Sequence, residues 1–325
     1  MEFPDYPDSP DLGHLNRLPL DRPFTTAMAR IEGVPDNALR RLVLLGALRR
    51  PVRSAYVFAE LEDSLALRIA LLELVVPDGC FVTDHTAAWL HAGDTALLPN
   101  SHLIVPRPDI FRHPQTRGLR NPLVRSGERT VTSRDLMRIG GLEVTTPLRT
   151  GCDVLRLFPR DVGLWGMSCM LGTGAFVIDE VFTMLPRFRG ERGVVQLREL
   201  APRADAELQS FGEAGLLNRW HDAGLPRPRC QIPVDLDGRV VFWLDMGLED
   251  QLFAAEYDGT EWHEGAEAEQ HDHERREWLA TQRDWWIEVF RGPTVFGVNQ
   301  DADVRLRAAH VALRRTAEKR THLAS

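Results

Sequence analysis

Lysine is almost missing from this 325-residue chain: of its 39 basic residues all but Lys319 are arginine. That excludes a lysine nucleophile or base before the last few positions, because a guanidinium stays protonated. Cysteine is scarce as well. Cys80, Cys152, Cys169 and Cys230 lie far apart, with no C-x-x-C pair and no Cys/His spacing for zinc, and are expected to be buried thiols. No run reaches the ~20 apolar residues of a membrane span. The first fifteen residues are acidic and proline-bearing, unlike a secretory signal, so the expectation is a cytoplasmic protein with no membrane partner. Gly172-Thr173-Gly174 has neither the dinucleotide spacing nor the Lys-Ser/Thr of a P-loop, and G-x-S-x-G is absent, which disfavours nucleotide and serine-hydrolase chemistry.

What is present is an ordinary globular composition, 43% apolar and 26% charged, in a chain long enough for two or three domains. The net charge of −8 argues against a general nucleic-acid coat. Its distribution is uneven. Between His14 and Phe58 eight arginines face three acids, a balance of +5, whereas between Glu256 and Glu277 nine acids face Arg275 and Arg276, a balance of −7. The two ends therefore suit different partners.

Residues 1–23 hold five prolines and read as an extended tail. From 24 to 60 the pattern predicts a helix over Phe24–Glu32, a second helix capped by Asp36 and stopped by Gly46, and two short strands, Ala47–Arg50 and Arg53–Phe58, around Pro51. Helix, turn, helix and basic hairpin is a winged-helix order. Residues 61–203 form a central mixed segment: a helix over Ser64–Val76, a strand at Ser101–Val105, and mainly helices from Thr145 to Leu200. His85 and His91 are six apart and would point to different sides of a helix, so packing by Trp89 and Leu90 is the better reading of that stretch.

The last segment, 204–325, carries the chemistry. A helix capped by Asp205 is expected to run to Ala223, with Glu213 beside its apolar face; Ile232, Val234 and Leu236 alternate before an Asp237-Gly238 turn. Asp245 ends the next strand, Val240–Met246, and Glu256 and Asp258 share one face of a third, Leu252–Asp258. Three carboxylates together raise one another's pKa, a penalty that Mg2+ or Mn2+ on oxygen ligands would remove.

Two resemblances attach to these residues. Around Leu39-Arg40-Arg41-Leu42-Val43 and Gly46, the N-terminal stretch resembles the winged helix of AbiEi-type antitoxins, regulators of toxin–antitoxin systems. This implies double-stranded DNA as a partner of Arg40, Arg41, Arg49, Arg50 and Arg53, and a cognate toxin as a further partner; a solvated arginine face is the plain alternative. Over about 115 residues, Ser210-Phe211-Gly212-Glu213, Leu244-Asp245-Met246, Ala255-Glu256-Tyr257-Asp258-Gly259 and Trp262-His263 resemble the PD-(D/E)-x-K nucleases, specifically the very-short-patch-repair (Vsr-like) branch. The resemblance implies a restriction-endonuclease-like α/β domain with Glu213, Asp245, Glu256, Asp258 and His263 catalytic and Asp245 and Glu256 on the metal. The chain departs from the pattern where Phe211 replaces a proline and Asp258 stands at the superfamily's lysine position. His263 reads equally as a general base or as a structural corner.

The expected fold is thus multi-domain α/β: winged helix, mixed centre, nuclease-like C-terminal domain. Two functions follow, a metal-dependent DNA endonuclease or a non-catalytic antitoxin-like regulator.

Overall fold

The structure, a computed structural model, describes residues 12–96, 98, 107–113, 124–236, 238–259 and 266–324, apart from the side chains of 266–273 and 317–324. It forms two compact units, Met1–Asp153 and Val154–Ser325, and the division falls inside one helix. The strand expected at Ser101–Val105, Asp237 of the hairpin turn, and His263 lie outside the described residues. No helix among the described residues is long and apolar enough to cross a membrane.

Unit 1 opens with a 3-10 helix over Leu12–Arg17, which buries Leu15 in the core, so the described part of residues 1–23 is not the extended tail expected; β1 (Phe24–Thr25), α1 (Thr26–Ile31), α2 (Asp36–Leu44), β2 (Leu48–Val52) and β3 (Ala55–Phe58) follow. Instead of one helix from Phe24, Phe24 and Thr25 pair with Tyr56 and Ala55, and Thr25 Oγ1 accepts from the Met28 amide at 3.2 Å. The helix therefore starts at its true cap. Asp36 is likewise a first-turn acid rather than a cap; its carboxylate is taken by Arg30 at 2.6 Å, and Pro35 holds the cap position. Antiparallel pairing gives a sheet of order β1-β3-β2. Its tight end is the Arg53-Ser54 turn, where Ser54 takes a positive φ of 70°, so Arg53 stands in the turn and not on a strand. Phe24, Leu39, Leu42 and Leu48 close the small core, each contributing ~1.5–3 kcal/mol by burial.

Next come α3 (Leu65–Glu73), β4 (Phe81–Val82), α4 (Asp84–Ala92), β5 (Asp109–Arg112), β6 (Arg125–Glu128), β7 (Leu136–Ile139) and β8 (Leu142–Thr145), the strands ordered β6-β5-β4-β8-β7. Trp89 and Leu90 pack into the core between the α3, α4 and β8 side chains. The two histidines part company: His85 donates its amide to Asp109 Oδ2 at 3.1 Å, and His91 Nε2 lies 2.7 Å from the Thr145 carbonyl oxygen. An ion network, buried except at Arg125, joins Asp84 to Arg125 and Arg129, and Asp153 to Arg129 and Arg149.

α5 (Pro147–Leu157) leads into unit 2, where α6 (Arg160–Gly172), α7 (Ile178–Met184) and α8 (Val194–Leu200) give the helical stretch the sequence predicts. The next helix differs from expectation. α9 (Phe211–Asp222) starts six residues after Asp205, because Ser210 Oγ accepts from the Glu213 amide at 3.1 Å and caps it, whereas Asp205 Oδ1 accepts from Glu207 N in a local turn. β9 (Arg229–Leu236), β10 (Arg239–Leu248) and β11 (Phe253–Tyr257) follow as an antiparallel meander. α10 (Ala266–Gln282) crosses back to β12 (Trp286–Phe290), which pairs parallel with β11, and α11 (Gly292–Val295) and α12 (Ala302–Ala324) complete the unit.

The sheet order is β12-β11-β10-β9. One of its cores holds Ile232, Val234, Leu244, Ala254 and Leu279. α9 is anchored on the sheet by fully buried Trp220, whose indole N–H donates to the Pro226 carbonyl at 2.7 Å and whose ring lies 5.4 Å from that of Phe253 of β11.

Candidate active site

α9, β10 and β11 bring three of the expected carboxylates together. Glu213 sits on the third residue of α9, beside its cap, and is buried. Its Oε2 accepts from the Gln209 amide at 2.9 Å and from Gln231 Nε2 at 3.0 Å; its Oε1 accepts from Ser210 Oγ at 2.8 Å. Despite these bonds, burial holds its carboxyl above the ordinary value. The close fit of α9 to β11 depends on glycine: a Cβ on Gly212 would stand 2.0 Å from the Tyr257 ring. Phe211 stacks on Phe296 at 5.0 Å.

Asp245 lies within β10, three residues before its end, rather than at the terminus of a shorter strand. It is half-buried, and its Oδ2 accepts from the Tyr257 amide at 2.7 Å. Among the described residues no guanidinium bonds to it. Burial first, then the charge of Glu213 and that of Glu256, push its pKa up to about 7, against the Tyr257 bond and the field of Arg275.

Glu256, on β11, is buried and compensated: its Oε2 accepts from Arg275 Nη2 at 3.0 Å and Arg276 Nε at 3.2 Å, both on α10. Asp258 stands just past β11, which is one residue shorter at each end than the sequence predicts. Its amide donates to the Phe290 carbonyl at 2.8 Å, and its Oδ2 accepts from Arg291 Nη2 at 2.8 Å. The structure thus groups Glu213, Asp245 and Glu256, and ties Asp258 to the end of β12 instead.

Sequence reasoning missed the groups that make this cluster tolerable. Gln231 turns its amide onto Glu213 from a position with φ of 49°, which periodicity does not reveal. Arg275 and Arg276 carry a signal that was available: they are the two bases in the acidic stretch 256–277, placed where a buried acid needs them.

Asp245 fits a hard divalent cation, which takes carboxylate oxygens. Glu256 fits one only in exchange for the two guanidiniums on its Oε2. As they stand, no three Asp, Glu, His or Cys side chains among the described residues form a group that would hold a metal ion.

Of the five N-terminal arginines, Arg40 and Arg41 are exposed on α2. Arg49 Nη2 donates to the Leu61 carbonyl, and Arg50 lies over the Tyr56 ring at 5.3 Å.

The chain is therefore a multi-domain α/β protein in which two buried carboxylates, Glu213 of α9 and Glu256 of β11, flank the half-buried Asp245 of β10. It is 30% identical over 233 residues to Uncharacterized protein Rv2248 of Mycobacterium tuberculosis (strain ATCC 25618 / H37Rv), covering 72% of this chain and 82% of that one. Uncharacterized protein MT2308 of strain CDC 1551 / Oshkosh matches to the same extent. The chain belongs to the family of these mycobacterial proteins. No family model matches it.

Proposed function

We propose that the protein is a divalent-metal-dependent DNA endonuclease, with a winged-helix DNA-binding module at residues 24–60 and a Vsr-like PD-(D/E)-x-K domain at 204–325. The observation that carries this reading is Asp245: a half-buried acid in the field of two others, raised to about 7 and bonded to no arginine among the described residues. Such an arrangement costs stability that the fold alone does not require, and costs of this kind concentrate at functional sites. The order α9, three antiparallel strands, α10, then a strand parallel to β11 supports the nuclease assignment.

Asp245 and Glu256 would hold Mg2+ or Mn2+, which when bound would polarise a phosphodiester and acidify water. The Tyr257 amide fixes one oxygen of Asp245, leaving the carboxylate's orientation set before any ligand arrives. Glu213 is a positioning residue, raising the proton affinity of Asp245 by charge and fixing Gln231 beside it. Arg40 and Arg41 would contact duplex phosphates from α2, with Arg49, Arg50 and Arg53 along the basic hairpin.

One observation favours the second reading, a non-catalytic regulator that pairs with a toxin. Glu256 and Asp258 already have cations built in, from Arg275, Arg276 and Arg291. Thermal unfolding of the full chain in rising Mn2+ separates the two. The nuclease reading expects the melting temperature to climb with metal in wild type and not in Asp245→Asn, because only a ligand of the native state shifts unfolding. A wild type indifferent to metal favours the regulator.

A further inference from the structure

Unit 1 contains a cavity of about 730 Å3, within the size range of small-molecule sites. Its walls come from α2 and β2 on one side and from α3 and α4 on the other. The apolar part includes Val43, Leu48, Val52, Leu67, Leu71 and Trp89. No residue of the carboxylate cluster touches it.

The polar part is unbalanced. Five arginines line the cavity against three aspartates, and all three aspartates are engaged. Asp63 accepts from Arg68 Nε at 2.9 Å, Asp94 from the Trp89 indole N–H at 3.1 Å, and Asp109 pairs with Arg125 at 2.5 Å. His85 adds no charge at neutral pH, since burial lowers its pKa to about 4. Arg49, Arg50 and Arg107 are hydrogen-bonded to no carboxylate among the described residues: Arg49 has a backbone carbonyl, Arg50 an aromatic ring and only the field of Asp36, and Arg107 is exposed. An apolar chamber with surplus guanidinium selects an apolar body that carries one negative charge.

We infer that this cavity binds a small amphipathic acid, its hydrocarbon body against Trp89 and Leu71 and its carboxylate on a guanidinium among Arg49, Arg50 and Arg107. Val43 and Val52 belong to the elements that carry the proposed DNA contacts, so occupancy would change duplex affinity; this last step rests on the winged-helix reading above.

Calorimetric titration of the full chain with decanoate tests the inference without DNA. One saturable site per chain is expected, with decan-1-ol about tenfold weaker for want of a charge-assisted hydrogen bond, and decylammonium not bound. At least one of Arg49→Gln, Arg50→Gln and Arg107→Gln should weaken decanoate about tenfold. Leu71→Trp should fill the chamber and abolish binding; the arginine variants, two at half-buried and one at an exposed position, keep the test decisive if that protein does not fold. No saturable decanoate site, equal affinity for acid, alcohol and amine, or indifference to all three arginine substitutions overturns the inference. Decanoate binding by a protein that shifts no duplex in a gel assay would instead sink the DNA reading and leave the cavity site standing.

Discussion

Replacing Asp245 by Asn removes a charge while keeping an oxygen for the Tyr257 amide, so it isolates the electrostatic cost of the site. The folded state binds the Asp245 proton up to about pH 7, whereas the unfolded chain releases it near the ordinary aspartate value. Each tenfold in proton affinity is worth ~1.4 kcal/mol, which puts the full penalty at ~4 kcal/mol. Solvent reaches this half-buried carboxylate, and ~2 kcal/mol is the better figure. The sign follows from proton binding: the folded state holds more protons, so wild-type stability falls as pH rises from about 4 to about 7 and the penalty is fully expressed above that. The Asn variant escapes it. Calorimetry or denaturant unfolding of both proteins from pH 4.5 to 8.5 should show near-equal stability at the acid end. At pH 8 the variant should lead by ~2 kcal/mol, a rise of ~4–8 °C for a unit of this size. An Asn variant that is less stable by ~1 kcal/mol at every pH would mean that the charged oxygen is a structural acceptor for Tyr257, and would refute the argument from strain.

Three further outcomes are expected. Arg40→Ala with Arg41→Ala should weaken duplex binding in a gel-shift assay and flatten its salt dependence by about one unit of slope for each phosphate no longer neutralised; unchanged affinity removes α2 from the interface. Glu256→Gln should destabilise the protein by about 2–3 kcal/mol in urea unfolding, because Arg275 and Arg276 lose their shared anion in a partly buried setting; a neutral effect would show that water already compensates them. Gly212→Ala should cost about 2 kcal/mol or more by the same measurement, since its Cβ meets the Tyr257 ring at 2.0 Å, and a stable variant would mean that α9 and β11 are more loosely fitted.

Part of the sheet in unit 2 was legible because period-two alternation marks strands: Ile232 and Val234 face the core as expected, whereas Leu236, the third of that alternation, ends β9 exposed. Errors arose where a cap decides the boundary. Asp205 and Asp36 have the right chemistry for a cap, but Asp205 is consumed by a local turn and Asp36 by Arg30, which sequence spacing does not reveal. The grouping of Glu213 with Asp245 and Glu256 was expected from a resemblance to the nuclease pattern, whereas their neutralisation was not. Arg275 and Arg276 reach Glu256 from a helix 19 and 20 residues further on, a contact that only the crossover of α10 creates. Asp258 was expected on the same face as Glu256, yet β11 ends before it and Arg291 takes it. The cavity in unit 1 had no sequence signal, since its walls come from elements that no local pattern links.

The central claim is that Asp245 and Glu256 serve phosphodiester hydrolysis, and the most direct measurement is nicking of supercoiled plasmid by the purified full chain in Mg2+ or Mn2+. Wild type should convert supercoiled to open-circular DNA only with metal, and Asp245→Asn, equally folded, should leave it intact. Plasmid untouched by wild type with either metal, or cut alike by both proteins, would contradict it.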